Sequence, residues 1–258
     1  MKIGSSALTL LLLILFLIGP FVIIVAASLS AGETLAFPPQ GLSLRWVVKV
    51  FDVESFRASF VLSMALALGG TSAALALGVP AAYAMSRYKV PFGETSRAIV
   101  SSPLIVPGIV VGLALLRYLV VPFRFSIFLA LFLAHTALVL PYALRVVSAS
   151  LNHLRPDIDE AAVLLGASRA GAFFHVVLPN ISDGVLAALI LGFVTSFNQV
   201  PVSLFLSGPG VQTLPIDMLS YLEITYDPSV AALSALLAFL SLAIVFAAER
   251  FLGLTRYV

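Results

Sequence analysis

The sequence predicts an all-α membrane protein, a polytopic helical bundle with six transmembrane helices. Hydrophobic residues make up 61% of the 258 positions and charged residues only 10%, and the mean hydropathy is +1.13. A soluble protein carries about a quarter charged residues, so the composition excludes a soluble chain. A helix needs about 20 apolar residues to cross the hydrocarbon layer, where its backbone must satisfy its own hydrogen bonds. The stretches that are long enough are 7–29, 58–86, 97–119, 125–149, 182–206 and 229–249.

Several classes of function are excluded by residues that the chain lacks or scatters. Without cysteine it has no disulfide framework, thiolate metal site or catalytic thiol. Its three histidines are dispersed, and no nucleophile lies beside a base, so we predict no catalytic residues, no metal site and no enzyme activity. No basic run favours nucleic acid, and no G-x-x-x-x-G-K-[ST] sequence favours a nucleotide site. The first apolar stretch is longer than a signal-peptide core, and we expect an uncleaved helix.

The basic residues predict that both termini are cytoplasmic. With six spans both termini lie on one side, and placing them inside leaves nine Lys and Arg residues inside against five outside. The last outer loop, 207–228, contains no Lys or Arg but carries Asp217, Glu223 and Asp227. This asymmetry follows the positive-inside rule. Residues 150–181 then face the cytoplasm.

The cytoplasmic loop 150–181 has the pattern of two short helices. Asp157 stands three residues before Glu160, which is the spacing of a capping box and predicts a helix start at Asp157. We expect Gly166 to end this helix and Ser168 to cap a second one that runs to about residue 177.

Two further features of this loop predict how its helices pack. One apolar face is expected at the i, i+3, i+4, i+7 spacing of Ile158, Ala161, Ala162 and Leu165. Pro179 suits the first turn of the next membrane span.

The same loop carries a longer motif. It reads Glu160-Ala161-Ala162, three residues, Gly166, nine residues, Val176, and then Leu178-Pro179. This pattern resembles the EAA loop of ABC importer permeases, with Val176 where that family usually has isoleucine. In that family the loop is the docking site of the ATPase. An interfacial amphipathic helix capped by Glu160 is the simpler alternative.

The resemblance implies roles for particular residues of the loop. Glu160 would be a polar contact or cap, and Gly166 the bend that sets the angle between the two helices. Arg169 would meet a charged residue of the partner. The residues assigned to ATPase coupling are Glu160, Ala161, Ala162, Gly166 and Arg169.

The similarity continues along most of the chain. The regions that resemble spermidine/putrescine-type permeases are 37–46, 82–88, 135–141, 208–210 and 213–215. The resemblance implies the type I ABC importer permease fold, with a peripheral first helix and outer loop in residues 1–57 and a core permease domain in residues 58–258. Its implied partners are a dimer of ATP-binding subunits that hold ATP and Mg, a second permease that is a different chain, and an extracytoplasmic solute-binding protein. The chain itself would bind no cofactor and would lie in the bacterial inner membrane.

The solute is less closely defined by the resemblance. Polyamine permeases tend to carry acidic residues near the end of the fifth span, whereas this chain reads Ser196-Phe-Asn-Gln-Val-Pro201. A polycation favours carboxylates along its path, and neutral amides are less selective. Polyamine is the favoured solute, and an opine, an amino-acid derivative or a phosphonate stays open.

Prolines and amides within the spans mark candidate lining residues. A proline frees a carbonyl and permits a kink, which suits a pathway that opens to either side, although prolines are common in membrane helices. Amides bind a passing solute or bridge helices. The predicted lining residues are Pro103, Pro107, Gly108, Asn198 and Gln199.

A secondary transporter or channel without an ATPase partner is the alternative function. It requires ionisable residues within the spans or a selectivity filter. His135 is the mid-span candidate, but no carboxylate accompanies it at helical spacing, and we expect it to be a hydrogen-bonded packing residue.

Overall fold

The computed structural model of the protein describes residues 4–88 and 93–252, which form helices joined by turns without a β-sheet. The predicted all-α class is confirmed. The helices are α1 Gly4–Ser28, α2 Arg45–Asp52, α3 Glu54–Arg87, α4 Gly93–Ser101, α5 Gly108–Leu115, α6 Val121–Phe123, α7 Ile127–His153, α8 Asp157–Leu164, α9 Arg169–Ala172, α10 Leu178–Asn180, α11 Ser182–Phe197, α12 Leu214–Ile224 and α13 Ser229–Leu252. A 3-10 turn at Ser102–Leu104 follows α4, and π-helical turns at Leu116–Val120 and Phe173–Val177 follow α5 and α9.

The described helices match six membrane spans when each bent helix pair is taken as one span. Four helices are long and apolar enough to cross by themselves: Ala7–Ser28, Glu54–Arg87, Ile127–His153 and Ser229–Phe246. The bent pairs are Thr95–Leu104 with Gly108–Phe123, at 92°, and Arg169–Asn180 with Ser182–Phe197, at 72°. The predicted number of spans is therefore confirmed in this sense.

Two predicted spans are not continuous helices. The third, 97–119, is interrupted ahead of α5, where Pro107 has an extended ψ of 126° and no backbone N–H to continue the helix. The fifth, 182–206, was expected to be interrupted at Pro201, and α11 ends four residues earlier, at Phe197, with turns following. Hydropathy detects apolar residues rather than helical hydrogen bonds, so it runs past both points.

The chain divides into two compact units, residues 1–58 with 217–258 and residues 59–216. In the first unit α1 packs against α13, and the rings of Phe21 and Phe239 meet edge to face with their centroids 5.6 Å apart. The predicted division at residue 57 stays a prediction.

Most of α1 presents apolar side chains to its surroundings. Leu15, Phe16 and Leu17 are all exposed. A continuous exposed apolar surface needs lipid or another apolar surface to cover it, as expected of a membrane span.

In the second unit α3, α7 and α11 pack around two apolar cores. The first core consists of Leu75, Val79, Ala82, Ala143, Leu144, Val147, Leu151, Val177, Ile181 and Ala188. The second consists of Leu66, Ala130, Leu131, Ala134, Leu138, Val202 and Leu206. The first core holds the loop between α7 and α11 against the ends of α3 and α7, and the second holds the turn after α11 against their other ends.

Glycine permits the closest approaches in this unit. A Cβ placed on Gly112 of α5 would collide with the backbone carbonyl of Val202, in the turn after α11. A Cβ on Gly69 of α3 would lie 3.2 Å from the edge of the Phe132 ring, which is a side chain that can shift. The position of α5 against the turn therefore requires glycine at 112 more strictly than helix packing requires it at 69.

We predict that Gly112→Ala destabilises the protein by about 1–3 kcal/mol, because backbone atoms must move to admit the methyl group. Gly69→Ala is the matched control, and we expect a smaller loss because a ring edge gives way more easily. Thermal unfolding in detergent measures both. A Gly112→Ala protein as stable as Gly69→Ala would show that α5 does not pack this closely.

Candidate functional site

The loop between α7 and α11 folds into two short helices that meet at a glycine. The first, α8, begins at Asp157 as predicted and ends at Leu164. Gly166 then adopts φ +97°, in the left-handed region that favours glycine, and no heavy atom lies within 4 Å of the position that a Cβ would occupy there. The glycine is thus required by the backbone conformation of the bend and not by crowding.

The second helix of the loop begins with the predicted cap. The Ser168 hydroxyl accepts a hydrogen bond of 3.0 Å from the Gly171 N–H, and α9 starts at Arg169. The helical path continues through a π-helical turn to Asn180, and α11 begins at Ser182. Pro179 therefore lies before the break and not in the first turn of the span, contrary to prediction.

The predicted capping box of the first helix is wrong. Pro156 is the N-cap residue, and no side chain caps the helix. Asp157 instead accepts a hydrogen bond of 3.1 Å from Arg155 Nε, and this bond holds the pKa of its carboxyl below the ordinary value. A neighbouring guanidinium competes better for the carboxylate than the backbone N–H groups do.

The residues predicted for coupling are accessible in the described structure. Glu160, Ala161, Gly166 and Arg169 are exposed, and Ala162 is half-buried. Glu160 and Arg169 line the same groove, of about 410 Å³. The Arg169 guanidinium lies 5.5 Å from the centre of the Tyr88 ring, in a cation–π contact.

The sequence-based prediction missed the apolar tip of this loop. Leu164 and Leu165, beside Gly166, are 87% and 90% exposed. Leu165 was expected on the packed face of α8, but the helix ends before it and turns it outward. Two adjacent leucines open to solvent in a loop of charged and small residues mark a surface for an apolar partner. Leu-Leu immediately before a helix-ending glycine was the available signal.

The proline and glycine candidates lie at the break between α4 and α5. Pro103 is in the 3-10 turn, and Pro107 and Gly108 open α5. A Cβ on Gly108 would lie 3.1 Å from Pro201 Cβ, so the break approaches the turn after α11. The structure thus brings the break and that turn together within the second unit.

The amide candidates lie at the end of α11. Asn198 is exposed, and its Nδ2 donates to the Val194 carbonyl at 2.9 Å, which leaves its oxygen as the outward polar group. Gln199 is half-buried. Their role as lining residues stays a prediction.

His135 is a buried bridge from α7 to the end of α11 and to the turn that follows it. Its Nδ1 lies 2.7 Å from Ser196 Oγ and its Nε2 lies 3.3 Å from Ser203 Oγ. A neutral imidazole donates through one nitrogen and accepts through the other, so both contacts suit the uncharged ring. The prediction of a hydrogen-bonded packing residue is confirmed.

A second cavity lies beside the same end of α7 as the loop. It has a volume of about 770 Å³ and is lined by Arg97 of α4, Arg145 of α7 and polar side chains. Its uncharged polar residues are Tyr88, Ser101, Ser148 and Asn152. The side chains described there make the cavity cationic.

In the first unit, a cluster of charged and aromatic residues joins α2 to the start of α13. Lys49 Nζ lies 2.7 Å from Asp227 Oδ2, and Asp227 Oδ1 accepts a 2.9 Å hydrogen bond from the Ser229 N–H. The Tyr221 hydroxyl donates to the same carboxylate at 3.2 Å. Trp46 lies beside Lys49, with its ring centre 4.9 Å from Nζ.

The pKa values of this pair shift in opposite directions. Burial raises the pKa of Asp227, but hydrogen bonds from Lys49 and Ser229 outweigh burial and hold it below its ordinary value of 3.8. The hydrogen bond to Asp227 raises the pKa of Lys49 above its ordinary value of 10.5. Both shifts favour the charged pair near neutral pH.

The described chain has apolar spans, two of them bent sharply, by 92° and 72°, and an exposed helical loop between spans. This is the architecture of a membrane permease. A sequence profile of the family described as "Binding-protein-dependent transport system inner membrane component" matches residues 74–254. The chain belongs to this family and is a permease component of a binding-protein-dependent importer.

Relatives and solved structures agree with this family. The chain is 30% identical over 230 residues to the putrescine transport system permease protein PotI of Escherichia coli, covering 86% of this chain and 81% of that one. It is 28% identical over 226 residues to the spermidine/putrescine transport system permease protein PotC of Haemophilus influenzae, covering 88% of each. The fold resembles a chain in the crystal structure of a bacterial alginate ABC transporter in complex with alginate pentasaccharide-bound periplasmic protein. That likeness has a TM-score of 0.71 at 17% identity and covers 95% of this chain and 92% of that chain.

We predict that Asp227→Asn destabilises the first unit by about 1–2 kcal/mol at neutral pH, because it removes a charged acceptor from a buried position. The lowered pKa of Asp227 stabilises the fold above pH 3.8, and this stabilisation is lost as the pH falls through the lower folded value. The raised pKa of Lys49 stabilises it below pH 10.5, and this is lost as the pH rises through the higher folded value. The difference between the two proteins should therefore be constant from about pH 5 to pH 9 and shrink on acidification.

Fluorescence of Trp46, the chain's one tryptophan, reports this unfolding because the ring lies within the cluster. Asp52→Asn removes an exposed carboxylate from the same helix and is expected to have no effect. A stability difference that did not shrink on acidification would contradict the assignment to this ion pair.

Proposed function

We propose that this chain is the permease subunit of an ATP-driven importer, in which it forms part of the pathway for a small polar organic solute and couples to a separate ATPase through residues 157–177. The observation that carries this proposal is the exposed loop of α8 and α9. The coupling motif and two solvent-exposed leucines, Leu164 and Leu165, lie together on this loop.

The loop has the physical properties of a docking element. A short helix with small residues, Ala161 and Ala162, can approach a partner groove closely, and Leu164 and Leu165 supply apolar surface to bury there. Glu160 and Arg169 flank the tip with opposite charges, which favours one orientation over others. Gly166 fixes the angle between the helices by its left-handed conformation.

The remaining partners follow from this role. The sequence contains no phosphate-binding loop, so ATP and Mg would be held by a dimer of ATP-binding subunits. A second permease, encoded as a different chain, would complete the pathway, and a solute-binding protein would deliver the solute from outside. Both termini of this chain would then lie in the cytoplasm of a bacterial cell, with the coupling loop on the same side.

Polyamine is the solute that we propose, on the strength of relatives that are putrescine and spermidine/putrescine permeases. The candidate lining residues of this chain are neutral amides, and the cavity beside α7 is lined by Arg97 and Arg145. Neither feature attracts a polycation. Selection of a polyamine would therefore rest with the binding protein or the second permease, and an opine, an amino-acid derivative or a phosphonate belongs in any panel of candidate solutes.

The proposed mechanism is alternating access driven through the loop. ATP binding would close the ATPase dimer and move the docked α8 and α9, and the rigid path from α9 to α10 would carry this movement to α11. The turn after α11 contacts the break at Gly108, so a shift of α11 would reach the candidate pathway residues.

We predict that Glu160→Ala with Gly166→Pro lowers solute-stimulated ATP hydrolysis of the reconstituted transporter on the order of tenfold, because coupling between two sites has this magnitude. Hydrolysis is measured with binding protein loaded with putrescine, spermidine, an opine, an amino-acid derivative or a phosphonate. The solute that stimulates the wild-type transporter is thereby identified.

The matched control is Glu223→Ala with Gly210→Pro. Glu223 is exposed, and Gly210 is also a left-handed glycine, at φ +72°, with open space around it. This control should keep the stimulation. Transport that continued with the loop disabled, or without an ATPase, would overturn the importer proposal in favour of a secondary transporter.

A further inference from the structure

A buried ion pair lies directly behind the coupling loop. Arg87 is the last residue of α3, and Asp159 lies in the first turn of α8, one residue before Glu160. Their side chains are only 7% and 9% exposed, and Arg87 Nε lies 3.4 Å from Asp159 Oδ2. In the ion pairs Lys49–Asp227 and Arg155–Asp157, by contrast, at least one side chain is exposed.

The pair connects three helices. Arg87 Nη2 donates a 3.0 Å hydrogen bond to the carbonyl of Leu154, which ends α7, where a cation is favoured by the helix dipole. Tyr83 stands one turn before Arg87 on α3, and its hydroxyl donates to Asp159 Oδ2 at 3.2 Å. Side chains four residues apart share a helix face, so α3 holds Asp159 with two groups at once.

The hydrogen bonding of the pair is incomplete. Arg87 Nε and Asp159 Oδ1 are both buried without a hydrogen-bond partner. Leaving charged atoms buried and unbonded costs free energy, so this geometry is a poor way to gain stability alone. A shortening of about 0.5 Å would bring the Nε to Oδ2 distance to that of a normal charged hydrogen bond. The groove of about 410 Å³, which both residues line, leaves α8 room for such a shift.

An exposed pair on the same loop shows the contrast. Arg155 and Asp157 are 79% and 57% exposed, and ion pairs in water contribute little. Asp159 differs from Asp157 because its carboxylate is buried and contacts two residues of α3, Tyr83 and Arg87.

We propose that Arg87 and Asp159 are positioning residues that fix α8 against the ends of α3 and α7, and that transport requires this clasp to carry movement of the coupling loop into the membrane spans. The proposal rests on the proposed function, because it assumes that the loop docks an ATPase. It concerns a contact within this chain and assigns neither residue to the docked surface.

The first test compares Asp159→Asn with Asp183→Asn in the reconstituted transporter. Both remove one carboxylate, but Asp183 is exposed and lies outside the loop. With putrescine-loaded binding protein, or the panel solute that stimulates the wild type, we expect Asp159→Asn to reduce the ratio of stimulated to basal ATP hydrolysis at least fivefold. Basal hydrolysis and binding of the ATPase subunit should change less than twofold, and Asp183→Asn should match the wild type.

The second test measures position directly and needs no partner. The chain has no cysteine, so spin labels on Leu77→Cys of α3 and Leu164→Cys of α8 are unique, and both sites are exposed. In lipid nanodiscs, double electron–electron resonance between the two labels should give one narrow distance distribution for the otherwise wild-type chain. Asp159→Asn and Arg87→Gln should at least double its width, and Asp183→Asn should not.

The outcomes separate the two proposals. If no solute stimulates the wild-type transporter, the proposed function fails, and the distance measurement still decides whether the clasp positions α8. If Asp159→Asn keeps both the stimulation ratio and the narrow distance distribution, the clasp proposal is overturned. Equal loss of basal and stimulated hydrolysis would also overturn it, since that marks a merely structural role.

Should Asp159→Asn fail to fold, Tyr83→Phe is the substitute variant. It removes one hydrogen bond and keeps the ion pair, and it should lower the ratio of stimulated to basal hydrolysis by a smaller factor.

Discussion

The structure depends on the need to satisfy backbone hydrogen bonds within an apolar layer. Long helices meet this need by themselves, so each departure from helix must be sheltered by its neighbours. In the second unit two of these departures, ahead of α5 and after α11, lie against each other. Gly112 allows α5 to approach the Val202 carbonyl at a distance that no side chain permits. Breaks that shelter each other can persist inside a membrane protein.

Much of the fold followed from composition and local chemistry. Hydropathy located the apolar segments, and the bend at Gly166 and the cap at Ser168 were predictable because each depends on the residue's own backbone or side chain. The wrong predictions involve competition between partners. Asp157 could cap α8 or pair with Arg155, and spacing alone does not decide between them. The end of α11 at Phe197 comes four residues before Pro201, whose ring clashes with the carbonyl four residues earlier, and hydropathy does not register this.

The candidate site divides in the same way. The motif identified Glu160, Gly166 and their neighbours, and the structure gives them the accessibility that docking needs. The pairing of Arg87 with Asp159 joins residues far apart in sequence, so no local pattern contains it. The loop thus has an outer face, readable from the motif, and an inner face that only the packing of α3, α7 and α8 defines. Coupling needs both, since a surface that docks without being held to the spans transmits nothing.

The exposed leucines at the tip of the loop also bear on how much of this subunit a cell can safely make. Burying a leucine side chain is worth about 1.5–3 kcal/mol, and two adjacent ones stand almost fully in water until something covers them. A copy whose loop is not covered by a partner therefore keeps an exposed apolar surface, open to self-association and to proteases that recognise exposed apolar residues. Synthesis of this chain in the same amount as the protein that covers its loop would keep the leucines from staying exposed.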